Sequence, residues 1–212
     1  MPALARYPQL TAILRGIRPQ EILDVAAALV ERGVHAIEVP LNSPEPFASI
    51  GRLQQAFGGQ CLCGAGTVLS VAQVDQVHAT GARLIVAPNT DAAVIARALA
   101  LGLVPMPGVA SATEVFAAIA AGARELKLFP ASSYGPGHLR ALRAVLPAGV
   151  RVHAVGGVDE HNAAAWLDAG AHGFGLGGNL YKPGMSAAEV GARFDAFTAA
   201  LAAHATTARG GA

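Results

Sequence analysis

Charge is the scarcest property of this chain. Only 14% of its 212 residues are Asp, Glu, Lys or Arg, and the formal net charge is +1. Lysines and arginines never cluster, so no nucleic acid partner and no membrane-surface binding through a basic patch is expected. A small anion needs only a few local donors and stays open. Cysteine is nearly absent. Cys61 and Cys63 are too few for a disulfide framework or a zinc site, and a cytoplasmic location is expected. No apolar stretch is long and charge-free enough to span a bilayer. The segment Met1 to Pro8 lacks the basic-then-apolar order of a signal peptide. Aromatics make up 5%, so the 53% hydrophobic content is largely Ala, Val and Leu, ample for a large core. So little charge also suggests apolar surface buried between subunits.

What is present is a rhythm. Short β-like runs occur at Thr11–Arg15, Ala36–Pro40, Leu62–Gly66, Leu84–Ala87, Leu103–Pro107, Glu125–Phe129, Val152–Val155 and Gly173–Gly177. They recur roughly every 19–27 residues, room for one helix and two loops. Ser70–Gln73, Ser111–Glu114 and Ser186–Glu189 each read as a capping box, and Asp159 as an N-cap. Gly33, Gly81, Gly102, Gly122 and Gly170 stand where helix-terminating glycines belong. Near-continuous apolar strands fit a parallel sheet covered by helices. An open doubly wound sheet would show Gly-x-Gly-x-x-Gly after the first strand, and Gly16-Ile17-Arg18-Pro19 does not. The expectation is an α/β fold, a single-domain (β/α)8 TIM barrel over residues 1–203, with a C-terminal helix near 186–203 and a disordered tail at 204–212.

Inside the sixth run, Glu125-Leu126-Lys127-Leu128-Phe129-Pro130, one lysine interrupts an apolar strand. Desolvation disfavours an ammonium, lowers its pKa and frees a nucleophilic amine, so Lys127 is a candidate Schiff-base former. The plainer reading is a lysine paired with a carboxylate or snorkelling to water. In a barrel, catalytic groups come from the C-terminal ends of several strands. Arg15 ends the first run and Glu38 lies near the end of the second. Alternation sets Glu38 opposite Ile37 and Val39, and Lys127 opposite Leu126 and Leu128, so three ionisable groups converge on one rim. A self-satisfied Arg–Glu–Lys network would look the same.

The loops after the seventh and eighth strands are the usual phosphate site of this fold, and here they carry Gly156-Gly157 and Gly177-Gly178. Gly64-Ala65-Gly66-Thr67 closes the third strand, and the Thr67 hydroxyl suits a carboxylate contact or a simple cap. These parts fit one reaction type. A lysine condenses with a ketone, a carboxylate moves protons, an arginine grips the substrate carboxylate, and glycine loops hold a distant phosphate. The iminium supplies the electrophile, so neither a metal nor a cofactor is expected. The histidines, among them His35, His78 and His204, show no ligand cluster. His161 and Trp166 read as surface and packing residues.

In order, Ala-Ile-Leu-Arg15-Gly, Ala-Ile-Glu38-Val-Pro-Leu-Asn-Ser-Pro, Gly-Ala-Gly-Thr67-Val, Leu-Lys127-Leu-Phe-Pro-Ala, Ala-Val-Gly156-Gly157-Val and Gly-Leu-Gly177-Gly178-Asn-Leu-Tyr span the chain to about Ala200. Together they resemble the 2-keto-3-deoxy-6-phosphogluconate / 2-keto-3-deoxy-6-phosphogalactonate aldolases, a family of class I aldolases. The resemblance implies reversible cleavage of a phosphorylated keto-deoxy sugar acid to pyruvate and D-glyceraldehyde 3-phosphate. It implies Lys127 as the Schiff-base lysine and Glu38 as the proton shuttle. Arg15 and Thr67 would lie at the pyruvyl end, with Gly157, Gly177 and Gly178 at the phosphate. A homotrimer and a place in D-galactonate catabolism are also implied. Gluconate-type members resemble one another in having Pro-Thr before the Gly-Gly after strand seven, where this chain has Ala154-Val155. With Leu41-Asn42-Ser43-Pro44 after the glutamate strand, Val155 points to the galactonate type. Gly178 stands where a serine is common, so one phosphate contact would be missing. The alternatives are a gluconate-type or dual-epimer aldolase, a phosphate-binding barrel isomerase or synthase, and a non-catalytic sugar-phosphate binder with Lys127 and Glu38 as an ion pair.

Overall fold

The computed structural model describes residues 9–210. The reading of Met1 to Pro8 as no signal peptide, and the last two residues of the expected tail, lie outside them. Nine parallel strands form one sheet: β1 (Gln9–Ile13), β2 (Ala36–Pro40), β3 (Leu62–Gly66), β4 (Leu84–Val86), β5 (Val104–Met106), β6 (Gly108–Val109), β7 (Glu125–Leu128), β8 (Arg151–Val155) and β9 (Gly173–Leu176). The order is β5-β4-β3-β2-β1-β9-β8-β7-β6. Its two ends, β5 and β6, are consecutive in the chain and separated only by Pro107. They are therefore one barrel strand, the fifth of eight, interrupted where proline lacks an N–H for the ladder. Lys127 N donates to Pro107 O at 2.9 Å, which helps close the barrel.

Between the strands lie α1 (Ile22–Val30), α2 (Pro46–Phe57), α3 (Val71–Ala79), α4 (Ala92–Ala100), α5 (Ala112–Ala120), α6 (Ala131–Arg143), α7 (Ala163–Asp168) and α8 (Ala187–Gly210). α1 shows why these segments are helical and where they pack. Ile22, Val25, Ala26 and Leu29 recur on one stripe and are all buried. Truncating Leu29 to alanine would cost about 2–5 kcal/mol. Ser111 and Glu114 form the expected capping box, and Ser186 and Glu189 exchange the same two bonds. Ser70 accepts from Gln73 N, but the Gln73 side chain reaches Leu69 N rather than the cap itself. Asp159 caps a turn through His161 N and Asn162 N, and α7 starts later, at Ala163. All five expected terminator glycines have φ between 70° and 102°, a region open to glycine. Helix α8 runs to Gly210, past the point where the tail was expected to begin.

Alternation along the strands separates two apolar layers. Ile37, Val39, Leu126, Leu128 and Ala154 join the large core between barrel and helices. Ala36, Leu84, Val86 and Met106, with Leu62 and Val104 against them, fill the barrel interior. Glu38 follows Ala36 on the interior face, and Lys127 lies level with Gly108 and His153. The first strand ends at Ile13, not Arg15, because the chain turns: Ile17 N bonds Leu14 O at 3.2 Å. At its other end the strand gains Gln9 and Leu10, which pair with Gly173 and Phe174 of β9.

Candidate active site

Lys127 is 5% exposed inside the barrel, and its Nζ lies 4.8 Å from the centroid of the Phe129 ring. Burial lowers its pKa, the Glu38 charge opposes that shift, and Arg15 adds to it. Glu38 is 1% exposed, and its Oε2 has no hydrogen-bond partner among the described residues. Burial raises its carboxyl to about 7, against the pull of Lys127 and then Arg15. A satisfied structural ion pair would not leave a buried carboxylate oxygen bare. Room for that carboxylate comes from β3: a β-carbon on Gly66 would lie 1.7 Å from Oε2.

Arg15 sits two residues past β1 and is exposed. Its Nη1 donates to Asn42 Oδ1 at 2.5 Å. The backbone beside it is registered to the glutamate strand, since Leu14 N donates to Glu38 O at 3.0 Å. Thr67, half-buried just after β3, has φ +58°. A β-branched residue rarely occupies that left-handed region, and such strain concentrates at functional sites.

Gly156 (φ +95°) and Gly157 (φ +75°) turn the chain after β8. A side chain on Gly157 would meet Ser132 Cβ at 2.6 Å, and Asn162 Nδ2 donates to Gly157 O at 2.9 Å. After β9, Gly177 and Gly178 have ordinary φ, and a β-carbon on either would meet nothing within 4 Å. Neither packing nor a positive φ calls for glycine there. Asn179 Nδ2 ties the two loops together by donating to Val158 O at 2.9 Å. Beside them opens a cleft of about 450 Å³, lined by Gly178, Asn179, Lys182 and Arg193 with the carboxylates of Asp159 and Glu160. Val155 is 4% exposed, paired with Gly175 in the interior layer nearer the mouth than His153.

The candidate residues thus share the C-terminal end of the barrel, with Lys127, Glu38 and Arg15 within each other's electric field. Reading the sequence missed two features. Phe129 lies on the lysine's own face, and its two-residue spacing was the available signal. Two residues before Lys127 on β7, Glu125 Oε2 lies 2.7 Å from Nε2 of His153, the β8 residue level with the lysine, and Arg151 also holds Glu125. Burial pushes the Glu125 carboxyl up, but bonds from His153 and Arg151 more than offset this and hold it at about 2. Cys61 and Cys63 are free and buried, their sulfurs 3.6 Å apart on the helix side of the barrel. No group of three or more His, Cys, Asp or Glu among the described residues is placed to hold a metal ion. No helix there is long and apolar enough to cross a membrane.

A buried amine, an unpartnered carboxylate, an exposed guanidinium and open glycine loops at one rim are equipment for imine chemistry on an anionic keto acid. The family model described as KDPG and KHG aldolase matches residues 3–195. A probable 2-dehydro-3-deoxy-6-phosphogalactonate aldolase of Rhizobium meliloti is 52% identical over 191 residues, 90% of each chain. The 2-dehydro-3-deoxy-6-phosphogalactonate aldolase of Escherichia coli is 48% identical over 191 residues, 90% of this chain and 93% of that one. A solved structure of native KDPGal superposes with a TM-score of 0.91 at 46% identity, covering 93% of this chain and 96% of that one.

Proposed function

This chain belongs to the KDPG and KHG aldolase family, and on that premise we propose that it is a class I aldolase acting on 2-dehydro-3-deoxy-6-phosphogalactonate. The products are pyruvate and D-glyceraldehyde 3-phosphate. The observation that carries the reading is a desolvated lysine sharing the barrel interior with a glutamate whose carboxylate has a bare oxygen.

Lys127 Nζ, whose burial favours the uncharged amine, adds to the C2 ketone to give a carbinolamine. Glu38, with a pKa of about 7, donates the proton that lets the hydroxyl leave as water, giving the iminium. The carboxylate so formed takes the proton of the C4 hydroxyl. The C3–C4 bond breaks, its electron pair flows into the iminium to give an enamine, and the aldehyde departs. Protonation at C3 and hydrolysis release pyruvate and restore Lys127. Arg15 and the Thr67 hydroxyl bind the C1 carboxylate. Gly157, Gly177 and Gly178 take the phosphate, with Lys182 and Arg193 as cations in the adjoining cleft. Binding energy at that far end fixes the scissile bond over the lysine. Val155, apolar where the substrate's C4 hydroxyl passes, sets the epimer.

The chain assembles as a homotrimer, and apolar side chains exposed on the successive helices α3, α4 and α5 (Val71, Leu99, Phe116) and at nearby Leu69 support a subunit contact on that side. The test of the chemistry is borohydride reduction with pyruvate, followed by mass mapping. A stable pyruvyl adduct on Lys127, absent in Lys127→Ala, is expected. Wild-type protein that gains no mass would overturn the Schiff-base reading.

A further inference from the structure

Arg15 is an exposed arginine on a turn, and such a side chain has wide rotamer freedom. Yet it is held at two levels. Its backbone is fixed on both sides. Gly16 N donates to the Oγ of Ser43, itself only 8% exposed, at 2.9 Å, and Leu14 N to Glu38 O at 3.0 Å. Gly16 has φ +84°, and a β-carbon there would strike Pro183 Cγ at 2.7 Å, so Pro183 packs directly against the turn. Its guanidinium is fixed by one bond, from Nη1 to Asn42 Oδ1. Asn42 and Ser43 are neighbours on one loop, four and five residues beyond Glu38. One loop therefore ties the arginine to the end of the strand that carries the glutamate.

The chemistry of the anchor matters as much as its place. A guanidinium carries five N–H donors and no acceptor, and a neutral amide carbonyl occupies one of them. The others remain for a ligand, and the positive charge is not cancelled. An aspartate of nearly the same shape would grip the arginine harder, as a charge-assisted pair, and would compete with any incoming carboxylate. We propose that Asn42, supported by Ser43, is the positioning residue that aims Arg15 at the substrate carboxylate while leaving its charge unspent. This rests on the aldolase reading above, with Arg15 at the pyruvyl end.

The test is steady-state kinetics in the condensation direction, varying pyruvate and D-glyceraldehyde 3-phosphate separately, with borohydride trapping on the wild-type protein as a companion. For Asn42→Ala, losing one anchoring hydrogen bond should raise KM for pyruvate roughly 3- to 10-fold, with kcat and the aldehyde KM within about twofold. Asn42→Asp should raise KM for pyruvate further than alanine does, although it restores a bond to Arg15. A merely structural contact predicts the reverse order, because aspartate would repair it. Asn42→Asp with a pyruvate KM at or below the wild-type value overturns the proposal. So does an equal rise in both KM values. If wild-type protein traps no pyruvate, the aldolase reading falls and this proposal with it. If trapping succeeds while KM stays unmoved, the role of Asn42 alone falls.

Discussion

The carboxylate of Glu38 stands in the space that a β-carbon on Gly66 would fill: Oε2 lies 1.7 Å from that position. The pairing is exact in register, since Pro40 lies opposite Gly66 and Glu38 opposite Gly64 on β3. Two glycines in five residues of a central strand weaken it, and the space they leave is what admits the acid. Gly66→Ala is therefore expected to displace Glu38 rather than unfold the barrel. Turnover should fall about 100-fold, the scale of losing a positioned proton donor, while circular dichroism stays native-like. Near-normal kcat in that variant would remove Glu38 from proton transfer.

Glu38 also couples stability to pH. Its carboxyl is raised from the ordinary 4.5 to about 7, so between these values the folded protein binds more protons than the unfolded chain. Stability from this group is intact below pH 4.5 and is lost as pH rises through about 7. At about 1.4 kcal/mol per pKa unit, the charged form carries a penalty on the order of 3 kcal/mol. Glu38→Gln removes it. The melting temperature of this variant should exceed that of wild type by several degrees at pH 8, with the gap shrinking toward pH 4.5. A constant difference across the range would contradict the burial argument.

Val155 packs in the interior opposite Gly175, where a β-carbon would meet its Cγ2 at 2.7 Å. Val155→Thr keeps the shape and adds a hydroxyl. It should raise the ratio of gluconate-epimer to galactonate-epimer cleavage roughly 10- to 100-fold, the scale of pairing a buried hydroxyl that otherwise lacks a partner. Assaying both phosphorylated sugars side by side decides the matter. Wild-type protein that turns over the gluconate epimer equally well would undo the substrate assignment.

One layer below Lys127 on the same strand, Glu125 holds buried His153 and half-exposed Arg151. Removing the carboxylate strands a buried imidazole, so Glu125→Ala should cost about 3 kcal/mol in urea unfolding with kcat little changed. The carboxyl is depressed to about 2, so its contribution is present above pH 4.5 and disappears as pH falls toward 2. The wild-type and variant stability curves should converge there. A large loss of kcat in fully folded Glu125→Ala would place this cluster in the chemistry instead.

The chain made some of these features readable one strand at a time. Lys127 and Glu38 each interrupt an apolar alternation by one position, and a period of two then assigns the face without knowledge of neighbours. The terminator glycines were legible for a similar reason: their φ is set within a single turn. Arg15 was harder. Its place in the sequence suggested a strand end, yet β1 stops at Ile13 and the side chain takes its direction from Asn42, 27 residues away. The Glu125–His153 pair was invisible because it depends on the register of β7 against β8, 28 residues apart.

By itself, then, the sequence determined the periodic quantities: eight strand positions, helix caps, the lysine and glutamate on the concealed face, and glycine loops at two strand ends. These follow from local backbone geometry and from the sorting of apolar side chains. Only the tertiary structure decided which polar groups meet: the bare oxygen of Glu38 above Gly66, the Asn42 anchor on Arg15, and the Glu125–His153 pair beneath. Such contacts depend on strand register and loop packing, and no short-range pattern encodes either.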